Sequence, residues 1–162
     1  MPGLPLRPLA RVYNALPVPL QRLLLTVTHQ RFLVGVVGIG VDDAGRLLLA
    51  RHRFGVPAWR FLGGLMARGE SGSAALAREI REETGLTAEI GPLLAFTSTG
   101  GWAHVEVLYA YRVREPIPVA FGGELAALEL FALGALPAMR ADHRALLLRH
   151  AAAALAWVRE RS

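Results

Sequence analysis

Apolar runs separated by turn-forming residues indicate that a β-sheet begins near residue 32. The runs Phe32 to Val41 and Arg46 to Arg53 flank Asp42-Asp43-Ala44-Gly45, a tetrapeptide whose residues favour tight turns. This pattern predicts a β-hairpin. The short segment Trp59 to Leu62 follows it and leads into Gly63-Gly64.

Further strands are predicted in the second half of the chain. Leu86 to Thr97 is strand-like, with an expected interruption near Gly91-Pro92, because proline removes a backbone donor from a β-ladder. Trp102 to Val113 is a second strand-like run, preceded by a predicted turn at Gly100-Gly101. Leu125 to Leu133 is predicted as another strand.

Two segments have the composition of helices. Ser73 to Thr84 is rich in alanine, leucine and glutamate and stops at Gly85, which predicts a helix with a glycine C-cap. Asp142 to Arg159 predicts a second helix with Asp142 as its N-cap and arginines near its end. Strands and helices are therefore mixed, and the fold class is α/β.

Residues 1–30 differ from the rest, because prolines break them into short pieces. The apolar run Leu20 to Val27 predicts one short helix after Pro19. We interpret this segment as an appendage of a single domain over residues 31–162. Packing on that domain is the expected role, and contacts in a homodimer or with a membrane surface are the alternatives.

Composition limits the class of protein. The chain has 162 residues, of which 53% are hydrophobic, and this is enough for one domain with a core. It has no cysteine, so a metal must be held by oxygen or nitrogen ligands, and a reducing, cytoplasmic compartment is expected. The longest apolar run, Phe32 to Val41, is too short for a transmembrane helix.

The charge of the chain favours a phosphate-bearing partner without indicating nucleic acid. The formal net charge is +5, and all 18 basic residues are arginine. Arginine binds phosphate well, but the complete absence of lysine indicates a coding bias. The arginines are also scattered along the sequence, so nucleic acid is not the expected partner.

Three glutamates of the first predicted helix carry the strongest chemical signal. At 100° per residue, Glu79, Glu82 and Glu83 share one helical face, where like charges destabilise a helix. Arg78 can reach Glu82 four residues later, whereas Arg81 projects to the other side. Glu79 and Glu83 are thus left without a cation from the helix, and a hard divalent ion is their natural partner.

The spacing around these glutamates matches a known motif. Gly64 is followed after five residues by Glu70, and after seven more residues comes Arg78 to Leu86, which reads Arg-Glu-Ile-Arg-Glu-Glu-Thr-Gly-Leu. Every fixed position of the Nudix box is present, and the chain resembles the Nudix hydrolase family over Phe32 to Arg159. The resemblance implies an α/β/α sandwich with a mixed sheet. It also implies Mg²⁺- or Mn²⁺-dependent cleavage of a phosphate–phosphate bond in a nucleoside diphosphate derivative, by metal-activated water.

The resemblance also implies metal-binding residues. Glu79 and Glu83 are expected to bind the metal, with Glu82 as a further or water-mediated ligand. The backbone carbonyl of Gly63 is expected to complete the shell, where the missing Cβ permits close approach. Gly64 is then needed for the turn.

Other positions have supporting roles in the family pattern. Arg78 is expected to orient the catalytic glutamates by ion pairing, and Glu70 to steady the loop before the helix. Glu124 occupies the place of a further carboxylate on a loop before the last strand, whereas Glu129 is more simply a strand position. The general base remains open among Glu79, Glu83 and Glu124.

Substrate contacts are less clearly indicated by the sequence. Arg51, Arg53 and Arg60, together with His52, cluster near the start of the box, either as phosphate contacts or as exposed charges at strand ends. Two tryptophans and one histidine are expected to pack rather than to contact substrate; they are Trp59, Trp102 and His104. The nucleotide stays open among sugar nucleotides, nucleoside triphosphates and other diphosphates.

Two other functions remain as alternatives to a small-molecule hydrolase. A non-catalytic Nudix-type sensor would bind a nucleotide without turnover, but the complete set of box glutamates argues against it. A pyrophosphatase acting on RNA 5′ ends would need a basic stripe that the sequence lacks.

Overall fold

The computed structural model describes residues 6–28, 32–98, 103–114, 116–117 and 123–161. It divides into two compact units, Met1–Phe32 and Leu33–Ser162. The predicted turn at Gly100-Gly101 and the side chain of Trp102 lie outside the described residues. No helix in the described part of the chain is both long enough and apolar enough to cross a membrane.

The first unit contains two helices where the sequence predicts one. Helix α1 spans Leu6–Ala15 and helix α2 spans Val18–Thr28. Pro19 lies in the first turn of α2, as predicted, where its missing N–H needs no intrahelical partner. Helix α1 is missed by the sequence argument because its Pro8 also lies near a helix start, where proline is tolerated.

The second unit contains one mixed sheet, whose seven strands all lie within the described residues. The strands are β1 (Leu33–Asp42), β2 (Leu47–His52), β3 (Trp59–Arg60), β4 (Leu62–Leu65), β5 (Glu89–Ser98), β6 (His104–Val113) and β7 (Leu125–Phe131). Their order is β3-β2-β1-β6-β5, with β4 paired to β1 and β7 paired to β2. Strands β1 and β6 are parallel, and the remaining pairs are antiparallel.

The predicted hairpin between β1 and β2 is confirmed. Asp42 closes the turn, since its carboxylate accepts a hydrogen bond from the backbone N–H of Arg46 at 2.7 Å. Gly45 supplies the positive φ of 75° that this turn requires. The interruption expected at Gly91-Pro92 is found in the ladder, because the register of β5 to β6 shifts between Ile90 and Leu93 although the strand itself continues through these residues.

Helices cover the sheet on both sides. Helix α3 (Gly72–Thr84) belongs to one core cluster and helix α4 (Ala141–Arg159) to another. The consecutive residues Val36 and Val37 of β1 point into different clusters, as alternation along a strand requires. This arrangement confirms the α/β/α sandwich. A short 3₁₀-helix, Leu133–Ala135, follows β7.

The predicted C-cap of α3 is confirmed, whereas the predicted N-cap of α4 is wrong. Gly85 caps α3 in the left-handed conformation, as predicted, and the hydroxyl of Ser71 accepts a hydrogen bond from Ala74 N–H at its start. Asp142 is not the N-cap of α4, because the helix begins one residue earlier and its N-cap is Arg140. Asp142 instead lies in the first turn and accepts a hydrogen bond from His143 N–H.

Candidate functional site

The three box glutamates of helix α3 and Glu124 surround one pocket. Its volume is about 280 Å³, and its lining consists of Glu79, Glu82, Glu83, Gly123, Glu124 and Leu125. Helix α3 supplies the first three carboxylates because spacings of three and four residues place them on one face. The turn before β7 supplies Glu124. Residues 41 or more positions apart in sequence thus converge on one acidic site.

Glu83 is the most perturbed carboxylate of this pocket. Burial raises the pKa of Glu83 to about 7, and the negative charges of Glu79 and Glu124 raise it further. A hydrogen bond from the backbone N–H of Gly63 acts in the opposite direction. Among the described residues, no group donates a hydrogen bond to the buried Oε2 of Glu83. This oxygen therefore has room for a cation or a proton.

The guanidinium of Arg78 forms ion pairs with three carboxylates. Its guanidinium lies 2.8 Å from Glu70, 2.9 Å from Glu79 and 3.1 Å from Glu82, and it also donates to the carbonyl oxygen of Leu65. These carboxylates raise the pKa of Arg78 well above its usual range. The expectation that Glu79 has no helical cation is wrong, because the adjacent Arg78 side chain folds back onto it.

Glu70 anchors the loop before α3. Its carboxylate accepts hydrogen bonds from Arg78 and from the backbone N–H of Ala67. The same two interactions lower the pKa of Glu70 below its usual value. Glu70 thus stays ionised and fixes the loop to the helix that carries the other glutamates.

Gly63 and Gly64 are placed where a side chain could not fit. Gly63 has φ 147°, and a Cβ there would lie 2.0 Å from the carbonyl oxygen of Val36. At Gly64 a Cβ would lie 2.4 Å from the carboxyl carbon of Glu79. Both distances are far below van der Waals contact, so Gly63 lets β4 lie against the backbone of β1 and Gly64 lets it lie beside the carboxylate of Glu79.

The residues expected to contact phosphates do not form one group. Arg53 lies beside the acidic pocket, since its backbone N–H donates to Glu124 O and its side chain donates to Leu125 O. Arg60 lines a second pocket, and Arg51 lies exposed with its guanidinium 5.9 Å from the Trp59 ring centre. Arg51 lies within β2, Arg53 just after its end and Arg60 on β3, so the three side chains belong to different segments.

Three further predictions concern single residues. Trp59 packs edge-on against Phe131 with ring centres 5.0 Å apart, which supports packing over base stacking. Glu129 is an exposed position of β7, as predicted. His104, expected to be packed, instead lines the second pocket and is only partly buried.

The second pocket contains charged and polar residues that the sequence argument missed. Glu106 of β6, Arg140 and His143 line it together with His52 and Arg60. Two features of the sequence could have pointed to them. One is a glutamate, Glu106, within an apolar strand, and the other is a histidine, His143, in the apolar stripe of the last helix. Neither feature shows which residues these side chains contact. His143, for example, accepts a hydrogen bond from the backbone N–H of Phe61, which lies 82 residues earlier in the chain.

The acidic pocket fits a divalent ion. Its donors are carboxylate oxygens, which hard cations such as Mg²⁺ and Mn²⁺ prefer, and the buried Oε2 of Glu83 has room for a further partner. The described residues contain no preassembled group of three histidine, cysteine or acidic side chains at metal-binding distances. Arg78 holds one oxygen of Glu79 and one of Glu82, so the second oxygen of each carboxylate is the one that remains for an ion.

Comparisons with known proteins agree with this geometry. A family model described as the NUDIX domain matches residues 31–151. A Nudix hydrolase structure from Nitrosomonas europaea superimposes with a TM-score of 0.66 at 24% identity, covering 76% of this chain and 72% of that one. At this identity the structural match shows the fold alone.

Two curated relatives have more specific names. A Xenopus laevis protein called nucleoside diphosphate-linked moiety X motif 6 is 44% identical over 70 residues, which are 42% of this chain and 31% of that protein. An RNA pyrophosphohydrolase of Acinetobacter baylyi is 37% identical over 96 residues, 59% of this chain and 56% of that protein. The chain thus spans from about a third to just over half of the length of these relatives.

Proposed function

The chain belongs to the Nudix family, and we propose that it is a hydrolase that cleaves a phosphate–phosphate bond in a nucleoside diphosphate derivative with the help of Mg²⁺ or Mn²⁺. The observation that carries this proposal is Glu83, which lines a pocket with Glu79 and Glu124 and whose buried Oε2 has no hydrogen-bond partner among the described residues. A buried carboxylate beside two others is costly unless a cation or a proton neutralises it.

Glu79, Glu82, Glu83 and the carbonyl of Gly63 are the groups that would hold the ion. When bound, a divalent ion neutralises phosphate oxygens and lowers the pKa of coordinated water. The lack of a side chain at Gly64 keeps space open beside Glu79. The pocket is therefore suited to an anionic diphosphate only after its own negative charge has been balanced.

The remaining residues position the reacting groups. Arg78 holds Glu79 and Glu82 in place and is itself held by Glu70, so its role is orientation rather than contact with the substrate. Arg53 lies beside Glu124, where its guanidinium can meet a phosphate that enters the pocket. Glu124 is the base candidate outside the helix, because it lines the pocket and no ion pair with it is found among the described residues.

RNA 5′-end pyrophosphatase activity is the second candidate, and the names of several curated relatives favour it. The chemistry would be the same, since a 5′-triphosphate also contains phosphate–phosphate bonds. The two candidates differ in the length of nucleic acid that the surface must accept. A nucleotide sensor without turnover is the third possibility, and retention of all box glutamates argues against it.

The test is hydrolysis of a substrate panel with and without divalent ions. Nucleoside diphosphate sugars, nucleoside triphosphates, dinucleoside polyphosphates and 5′-triphosphate RNA are incubated with Mg²⁺ or Mn²⁺, and released monophosphate, phosphate and pyrophosphate are measured. We expect turnover of at least one small nucleotide that stops in excess chelator. Undiminished turnover in chelator, with metal absence confirmed, would contradict the mechanism. Binding without turnover of any substrate would favour the sensor.

A further inference from the structure

The net charge of the chain is concentrated in residues 1–32. These residues contain four of the 18 arginines and none of the 13 acidic residues, so their formal charge is +4 out of a total of +5. The first acidic residue of the chain is Asp42, at the end of β1. Residues 33–162 are therefore close to neutral, and the unit that contains α1 and α2 is the basic part of the molecule.

Helix α2 exposes a continuous apolar stripe. Four residues at spacings of three and four positions occupy an arc of about 100° on this helix; they are Leu20, Leu23, Leu24 and Val27. Their exposed fractions range from 46% for Leu20 to 77% for Val27. No residue of the helix is buried. The apolar stripe of α2 thus has the pattern of a packed face, although its side chains lie in solvent.

Helix α4 shows what happens to such a stripe when it has a partner. Its apolar residues also recur at spacings of three and four positions, and each is at most 2% exposed; they are Leu147, Ala151, Ala154 and Val158. Single apolar residues are common on protein surfaces, whereas a contiguous exposed patch marks a site of interaction. The apolar stripe of α2 therefore indicates a binding surface.

The charge of residues 1–32 distinguishes between the partners that this surface could bind. A second copy would bring two segments of charge +4 together, with no acidic side chain in either segment to offset the repulsion. RNA offers phosphates to the arginines, but its bases stack on aromatic side chains, and the stripe is aliphatic. An anionic lipid bilayer offers negative headgroups and an apolar phase together.

The length of α2 is consistent with binding at the surface of a bilayer. The helix has 11 residues, whereas roughly 20 are needed to cross the hydrocarbon core. Arg22 lies on the side of α2 opposite to the stripe, and both Arg22 and Arg11 of α1 are exposed. A helix is about 10 Å wide, which is close to the Debye length at 0.1 M salt, so these charges are still attracted to anionic headgroups.

We propose that the helical segment Leu6–Thr28 binds an anionic lipid surface, with the apolar stripe of α2 against the acyl chains and the arginines directed to the headgroups. A short stripe or a few charges alone give weak, reversible binding, so the two signals are needed together. The inference is independent of the hydrolase function. It adds a site of attachment for the domain that carries the acidic pocket.

The first test uses the full-length wild-type chain and needs no variant. The protein is sedimented with vesicles of phosphatidylcholine alone or of an equimolar mixture of phosphatidylcholine and phosphatidylglycerol. At about 0.1 M salt we expect a partition coefficient at least about tenfold higher on the anionic vesicles. Most of this difference should vanish at about 1 M salt, where the Debye length falls to about 3 Å. Equal binding to both vesicles, or binding to neither, overturns the inference.

The second test removes the stripe. The double variant Leu23→Gln, Leu24→Gln keeps good helix formers, and we expect it to lose about tenfold or more in partition on the anionic vesicles, because two buried leucines no longer enter the apolar phase. The matched control is Leu148→Gln, which changes an exposed leucine of α4 and should leave partition unchanged. Undiminished binding of the double variant would show attachment by charge alone and overturns the inference.

The third test removes two charges of the basic unit. Arg11→Gln with Arg22→Gln should lower partition on anionic vesicles about tenfold, since one arginine near such a surface contributes up to about fivefold. The matched control replaces two exposed arginines of α4, Arg144 and Arg149, and should have a much smaller effect. Equal losses in the two pairs would show that the net charge of the chain, rather than the helical segment, drives binding, and this overturns the inference.

Measurements without lipid separate the other occupants of the stripe. If the stripe joins two copies, light scattering finds a dimeric wild type and a monomeric Leu23→Gln, Leu24→Gln variant. If the stripe packs within its own chain, the same variant loses several degrees in Tm. Either result overturns the inference, and a monomer with an unchanged Tm supports it. None of these measurements depends on turnover, so their failure leaves the proposed hydrolase function intact.

Discussion

Replacing Glu83 by glutamine should stabilise the metal-free protein while removing a proposed metal ligand. The pKa of Glu83 rises from its ordinary value of 4.5 to about 7 through burial and through its neighbours Glu79 and Glu124. Between these two pH values the folded protein keeps a proton that the unfolded chain has lost. Stability therefore falls as the pH rises through this window, and the full penalty applies above about pH 7.

The magnitude follows from the difference between the two pKa values. At about 1.4 kcal/mol per pH unit, the shift from 4.5 to about 7 corresponds to about 3 kcal/mol. Solvent screening of the exposed part of the carboxyl reduces this, and we expect Glu83→Gln to gain about 2 kcal/mol at pH 8 in chelator. The glutamine oxygen can still accept the hydrogen bond from Gly63 N–H.

Thermal unfolding in chelator at pH 8 and at pH 5 measures this effect. A gain of about 2 kcal/mol raises the Tm of a domain of this size by about 4–8 °C at pH 8, and most of the gain should vanish at pH 5. Added Mg²⁺ or Mn²⁺ should stabilise the wild type more than the variant. Glu129→Gln, at an exposed strand position, is the control and should change neither curve. A Glu83→Gln protein that is no more stable at pH 8, or whose gain is the same at pH 5, would refute the reasoning.

Three further substitutions test the same site. Arg78→Ala should lower both the Tm and the rate, because it leaves three carboxylates without their cation. Replacing the exposed Arg81 by alanine should change neither quantity much. Equal effects of the two substitutions in melting and rate assays would show that Arg78 does not orient the site. If Glu124 is the general base, Glu124→Gln should reduce the rate by about 10²–10⁴-fold and leave the half-saturating metal concentration unchanged. A variant with the wild-type rate would exclude that role. Gly64→Ala should raise the metal concentration needed for activity, because its Cβ displaces the carboxylate of Glu79; an unaltered metal titration would contradict this.

The local structure of the acidic site could be predicted from the sequence because its main parts are close together along the chain. The shared face of the glutamates on α3 follows from a helical period of 3.6 residues, and the end of the helix follows from Gly85, because glycine readily adopts the left-handed conformation of a C-cap. The pairing of Arg78 with Glu82 follows from the same period, because residues four positions apart are neighbours on a helix surface.

Some details near the site depended on side-chain conformation, which spacing alone does not determine. Arg78 also binds its neighbour Glu79, because a long flexible side chain can fold back along the helix. The phosphate-binding cluster expected at residues 51–60 separates, because Arg53 is held by the backbone at Glu124 and Leu125 while Arg60, on β3, lines the second pocket.

The sequence by itself determined the Nudix box, the acidic face of α3 and the alternation of strands and helices, since these depend on residue type and short-range period. Only the tertiary structure decided which distant residues share a pocket. The parallel pairing of β1 with β6 sets Gly35 beside Glu106, and the packing of α4 brings His143 to Phe61 across 82 residues. Sheet register and helix docking are set by the burial of the whole core, so no local pattern contains them.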